Sequence, residues 1–117
     1  MNYDLEERAA KFGENIIIFA QTISKNEINR PLISQIVRSA TSVGANYMEA
    51  NQASSKKDFR NKIYICRKEA NETKHWLRMI NKANSDKNDI IKKLWQEAHE
   101  LTLIFSKISK SCGDNLV

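Results

Sequence analysis

Lys56, Arg60, Arg67, Lys74 and Arg78 share one narrow sector of a helical wheel drawn at about 100° per residue. Lys57, Lys68 and Lys82 flank that sector, on the side where Tyr64 and Asn71 also sit, and only Lys62 lies elsewhere. The stretch from Ser55 to Ala83 holds nine of the chain's 19 Lys and Arg but three of its 14 acids, so its net +6 exceeds the +5 of the whole protein. Those acids, Asp58, Glu69 and Glu72, point to the far side of the wheel. A solvated helix face ordinarily mixes signs to make i,i+4 pairs, and this one does not. Cations on successive turns repeat roughly every 5 to 6 Å, close to the scale of a nucleic-acid backbone. Such a stripe binds phosphates with steep salt dependence and little sequence selection. Tyr64, and His75 beside Lys74, are placed to stack on exposed bases, which puts RNA slightly ahead of DNA. Two other uses fit the same stripe: docking an acidic protein surface, and keeping an oligomer soluble.

Other chemistry finds less support. Glu72-Thr-Lys-His75 is a Glu-x-x-His, but a di-iron bundle site needs two such motifs and two further Glu, and here there is one. Cys66 and Cys112 are far apart, without CxxC spacing, and Cys66 falls on an apolar helix position, as a buried thiol does. Glu69 and Glu72 as a general acid–base pair require a pocket. There is no Gly-rich phosphate loop. No catalytic, metal-binding or cofactor-binding residue is assigned, and a non-enzymatic protein is expected.

Composition limits the elements that can carry these residues. At 117 residues with three Gly, one Pro and 28% charged residues, the chain reads as a single all-helical domain over 1–117. The longest apolar run, Ile16–Ala20, is far short of the roughly 18 residues of a membrane span. The acidic start and unpaired cysteines point to a reducing cytoplasm.

Four amphipathic segments follow. Asp4 with Glu7 reads as a capping box, followed by a seam of Leu5, Ala9, Phe12, Ile16, Phe19 and Ile23. Pro31 suits the first turn of a second helix, which buries Ile33, Ile36, Val37, Ala40, Val43, Gly44 and Tyr47 and runs to about Asn51. Ser55 and Asp58 cap a third helix of about 29 residues, roughly 43 Å long. Its seam is Phe59, Ile63, Cys66, Ala70, Thr73, Leu77 and Ile80. Asp86 and Asp89 are placed as caps of a fourth, with seam Ile91, Leu94, Ala98, Leu101, Phe105, Ile108 and Cys112 and Gly113 as its stop. The alternating four-three spacing and short connections predict an all-α, antiparallel up-down-up-down four-helix bundle, left-handed.

Two features exceed the needs of a lone bundle. The third helix has a second seam, Ile65, Glu69, Glu72, Trp76, Met79 and Ala83, with two carboxylates among apolar neighbours. The second carries a stripe of Gln35, Arg38, Ser39, Ser42, Asn46 and Glu49 opposite its apolar face. Small polar side chains are poor helix formers but allow close approach, so a subunit interface is expected in which Arg38 or Asn46 pairs with Glu69 or Glu72. Gly44 would ease that packing, and Trp76 and Trp95 would anchor it.

The stretch Gln35-Ile-Val-Arg-Ser-Ala-Thr-Ser-Val-Gly-Ala-Asn46, then Glu49-Ala, Lys57-Asp-Phe59 and Glu69-Ala-Asn-Glu72 leading to Trp76-Leu77, resembles the bacterial four-helix-bundle proteins encoded in 23S rRNA intervening sequences. These are related to the accessory variability protein of diversity-generating retroelements. The resemblance covers nearly the whole chain and is closest to the intervening-sequence branch. It implies a ring-shaped homopentamer with a basic surface; in the retroelement branch it implies binding to nucleic acid and to a reverse transcriptase.

Overall fold

A computed structural model describes residues 2–112; Gly113, expected to stop the last helix, lies outside them. Four helices follow in order: α1 (Asn2–Gln21), α2 (Asn29–Ala50), α3 (Lys56–Ala83) and α4 (Asn88–Ser111), with one 3-10 turn, Ser85–Lys87, before the last. The 28 residues of α3, at about 1.5 Å each, account for most of the 46 Å long axis. Each helix lies antiparallel to the next because the links are short. The expected seams form one core: Ala9, Phe12, Ile16, Phe19 and Ile23 meet Ile36, Ala40, Val43 and Tyr47, then Ile63, Cys66, Ala70, Leu77 and Ile80, then Ile91, Leu94, Ala98, Leu101 and Phe105. Tyr47 and Phe105 close the centre, their ring centroids 5.7 Å apart.

The helix ends depart from expectation in two places. Ser55 caps α3 as expected, its Oγ accepting from the Asp58 N–H at 3.0 Å. The Asp4–Glu7 box does not form, because α1 begins earlier, at Asn2, and Asp4 sits inside its first turn. Neither Asp86 nor Asp89 caps α4, whose N-cap position is Lys87 with no side-chain hydrogen bond. Asparagines organise this end of the bundle. Asn26 Oδ1 accepts from the N–H groups of Ile28 and Asn29 ahead of α2. Buried Asn29 and half-buried Asn84 exchange amide hydrogen bonds of 2.9 and 3.1 Å, tying the start of α2 to the end of α3.

Packing is uneven around the bundle. α3 lies between α2 and α4, and α1 packs mainly on α2. Along part of their length α1 and α4 stand apart, leaving a groove of roughly 740 Å³ lined by Phe12, Ile18, Phe19, Ile90 and Leu94. Across this side Arg8 forms a fork with Glu97 at 2.7 and 2.8 Å and reaches Glu100 at 2.8 Å. Gln96 and Arg8 hold the Glu100 carboxyl below its ordinary range. That contribution is present above the usual carboxylate pKa and is lost as pH falls through the lowered folded value.

Gly44 serves a contact within the chain rather than the expected subunit contact. A Cβ there would lie 3.4 Å from the Ala9 carbonyl oxygen and 3.5 Å from Ala10 Cα, so α1 and α2 approach at their small residues. These are ordinary contact distances. Gly44→Ala is therefore expected to leave stability unchanged or raise it by up to about 1 kcal/mol through helix propensity. Gly44→Leu should lower it by about 1–3 kcal/mol by forcing the helices apart. Urea midpoints measure both; equal losses for the two variants would refute this reading.

Candidate nucleic-acid interface

The cationic sector of α3 lies on the flank that adjoins α4. Lys56, Lys57, Lys68, Arg78 and Lys82 are exposed, whereas Arg60, Arg67 and Lys74 are half-buried. Arg67 is drawn over the Tyr64 ring, its guanidinium carbon 5.2 Å from the centroid. Lys74 turns onto α4, where its ammonium lies 3.1 Å from His99 Nδ1 and 5.0 Å from the centre of the Trp95 ring. Most of the expected outward row is exposed, and its middle borders a groove between two helices, with Tyr64, Arg67, Lys68 and Asn71 facing Thr102. His75, expected beside Lys74 as a stacking ring, is exposed and meets Trp76 edge-on at 4.9 Å. The rings beside Lys74 are Trp95 and His99. A wheel drawn for one helix does not reveal them, because they come from its neighbour.

The acids are held elsewhere by ion pairs. Arg38 of α2 donates to both oxygens of Glu69 at 3.2 and 3.3 Å and also to Glu72. Trp76 Nε1 donates to Glu72 at 2.9 Å. Glu69 retains only 8% of its exposure, and that guanidinium is the cation it pairs with. On α4, Glu97 and Glu100 turn to Arg8 of α1. Lys62, the cation outside the sector, lies on the α2 side and bonds Glu49 at 2.8 Å, which raises its pKa. The four glutamates of the two long helices are therefore drawn to their outer flanks, and the junction between them is left cationic.

The pairing expected between subunits is present, but within one chain. Arg38 meets Glu69 and Glu72 as expected, and Asn46 bonds Ser42 on its own helix at 2.9 Å. Ser39 is buried, its hydroxyl 2.8 Å from that of Thr73. Gln35 accepts from Arg38 at 3.1 Å. The polar stripe of α2 thus faces α3, and its carboxylates do not require a second copy. Burial pushes the Cys66 thiol up to about 12, and its sulfur lies 3.5 Å from the Val43 carbonyl oxygen: a core thiol, as expected. Glu72 of the lone Glu-x-x-His is engaged by Arg38 and Trp76, and among the described residues no three His, Cys, Asp or Glu converge as a metal site. No helix among the described residues is long and apolar enough to cross a membrane.

A family model described as 23S rRNA-intervening sequence protein matches residues 1–107. The chain belongs to that family. A solved structure of similar fold is that of a protein of unknown function from the S23 ribosomal protein family of Bacteroides thetaiotaomicron. It is 29% identical, with a TM-score of 0.85 over 93% of this chain and 97% of that one. No curated protein matches significantly. The expected four-helix architecture and the expected family are both borne out.

Removing Arg38 leaves Glu69 without its cation in a nearly dry site. Breaking a fully buried pair costs about 3–5 kcal/mol, but half of the Arg38 side chain is exposed, so Arg38→Ala is expected to cost about 1–2 kcal/mol. Adding Glu69→Gln to that variant should recover part of the loss. Denaturant unfolding of the two single variants and the double variant measures the coupling. Strict additivity would show that the pair holds nothing.

Proposed function

We propose that this protein binds the sugar–phosphate backbone of nucleic acid as a non-catalytic, oligomeric helical bundle, through the face where α3 meets α4. One observation carries the reading: Glu69 and Glu72 are engaged by Arg38, and Glu97 and Glu100 by Arg8, on the opposite flanks, while among the described residues Arg67 and Lys68 line a groove that includes no carboxylate, with Lys74 one to two turns further along α3. Lys56, Lys57, Arg60, Arg78 and Lys82 extend the same charge along α3. Nothing in that arrangement reads a base edge, so affinity should depend on charge and salt more than on sequence. Charge reversal at Arg60, Arg67, Lys74 and Arg78 together should abolish binding of random-sequence RNA or DNA. Without the substitutions, log affinity should fall linearly with log salt. Fluorescence anisotropy at about 50 mM salt and above measures both. Absence of binding at the lowest salt would overturn the reading.

Self-association belongs to the same proposal, with the homopentamer as the form implied by family resemblance. Its support is now exposed apolar surface: Ile18 at 60%, Met48 at 53% and Leu103 at 55% on a small domain. The rim of Gln35, Arg38, Ser42, Asn46, Glu49, Glu69, Glu72 and Trp76 can still border an interface, but not through unpaired carboxylates. Repeating the basic face around an assembly would raise avidity without new contacts. Light scattering across a concentration series should give a mass above 13.5 kDa; a monomer throughout would refute it.

The α1–α4 groove favours a second reading, a scaffold for another protein such as a reverse transcriptase. The groove is largely apolar, with Lys87, Lys93 and Glu97 at its rim, and it lies away from the basic face. On this reading a specific protein partner is lost on Ile18→Glu with Ile90→Glu in the groove and survives the charge reversal on α3. A cytoplasmic location is part of either proposal.

A further inference from the structure

Trp95 and His99 stand one turn apart on α4 with ring centroids 5.1 Å apart and planes within 15° of parallel. Lys74, reaching across from α3, donates to His99 Nδ1. A ring nitrogen accepts in the plane of its ring, so the ammonium and the imidazole occupy the same side of the indole. Lys74 thereby bridges the two rings, its ammonium 3.1 Å from His99 Nδ1 and 5.0 Å from the centre of the indole. Trp95 nevertheless keeps 38% of its surface exposed, and the core at this level is filled by Ile91, Leu94 and Ala98 without it. An indole that the core does not use, covered on one side by His99 and Lys74, offers its remaining exposed surface to a flat ligand.

A second such ring lies along the same groove. Tyr64 is 51% exposed and carries Arg67 against its ring. Ten residues separate Tyr64 from Lys74, about 15 Å along the helix. Arg67, Lys68, Asn71 and Thr102 line the groove between the two stations. Aromatic rings alternating with cations along a groove match a flexible strand whose bases can turn outward. A duplex buries its base faces in its own stack and presents only phosphates to such a surface.

We infer that the α3–α4 groove takes single-stranded nucleic acid in preference to duplex, with unpaired bases stacking on Trp95 and Tyr64 while Arg67 and Lys68 meet the phosphates. This rests on the backbone-binding reading above and adds to it the strandedness of the ligand. RNA and DNA share the stacking chemistry, and matched arms of the experiment tell which is bound.

The test uses the full chain and one arbitrary 20-nucleotide sequence, as single-stranded RNA, single-stranded DNA and the two corresponding duplexes, by anisotropy at about 50 mM salt. Single strands should bind about tenfold or more tightly than duplexes. Trp95→Ala should weaken single-strand binding about tenfold, within the range for loss of one stacked base, and leave duplex binding unchanged. Trp95→Phe should restore most of the loss. Because Trp76 is the other tryptophan, a Trp76→Phe background isolates Trp95 emission. Single strands should quench that emission and duplexes should not, which keeps the test open if Trp95→Ala folds poorly. Equal affinity for single strands and duplexes, with no effect of Trp95→Ala and no quenching, overturns the inference and leaves the backbone reading standing. Failure of all four ligands to bind overturns both.

Discussion

A carboxylate that is 8% exposed on a long amphipathic helix has to find a cation, and Glu69 finds Arg38. The rest of the charge distribution depends on that constraint. Arg38 reaches Glu69 and Glu72 together, and Trp76 completes the acceptor set of Glu72, so the second seam of α3 is closed by α2. With its acids committed to one flank, α3 presents its cations on the other, and there it meets α4. The α4 carboxylates are in turn held by Arg8 on the side facing α1. Two ion-pair clusters on opposite edges of a helix pair leave the junction between them cationic.

That segregation has a dynamic side as well. Half-exposed ion pairs contribute modestly to stability in water, yet each here also fixes where a negative charge resides. The α1–α4 side, where the groove opens and Arg8 is the main polar clasp, is the least tightly joined edge of the bundle. The α3–α4 edge is the reverse: close packing, one lysine clamping a stacked Trp–His pair, and an arginine laid on Tyr64. Ordering side chains before a ligand arrives lowers the entropic cost of binding one.

Much of this was legible from residue order. The seam residues from Ala9 to Phe105 lie in the core where the four-three spacing puts them, and Ser55 caps α3 as its type and position indicate. Other readings failed because each judged one helix by itself. Asp4, Asp86 and Asp89 are good capping residues, but α1 starts earlier and the asparagines at 26, 29 and 84 meet the needs of the other end. The need of Glu69 and Glu72 for partners is legible in their apolar neighbours, and Arg38 is the partner expected; the pairing forms within one chain because α2 packs against α3. Likewise His75 was the nearest ring in sequence to Lys74, while the rings nearest in space are Trp95 and His99.

Residue order is enough to set the periodicity, and with it four helices, their core faces and the acid-free sector of α3. Those properties follow from spacing along a single helix, where 3.6 residues per turn converts order into direction. Which helix each polar flank faces is settled by packing. Arg38 beside Glu69, and Lys74 between Trp95 and His99, depend on the rotation and axial offset of one helix against another. Those are fixed by how side chains of the whole core interlock, and residue spacing on one helix does not contain them.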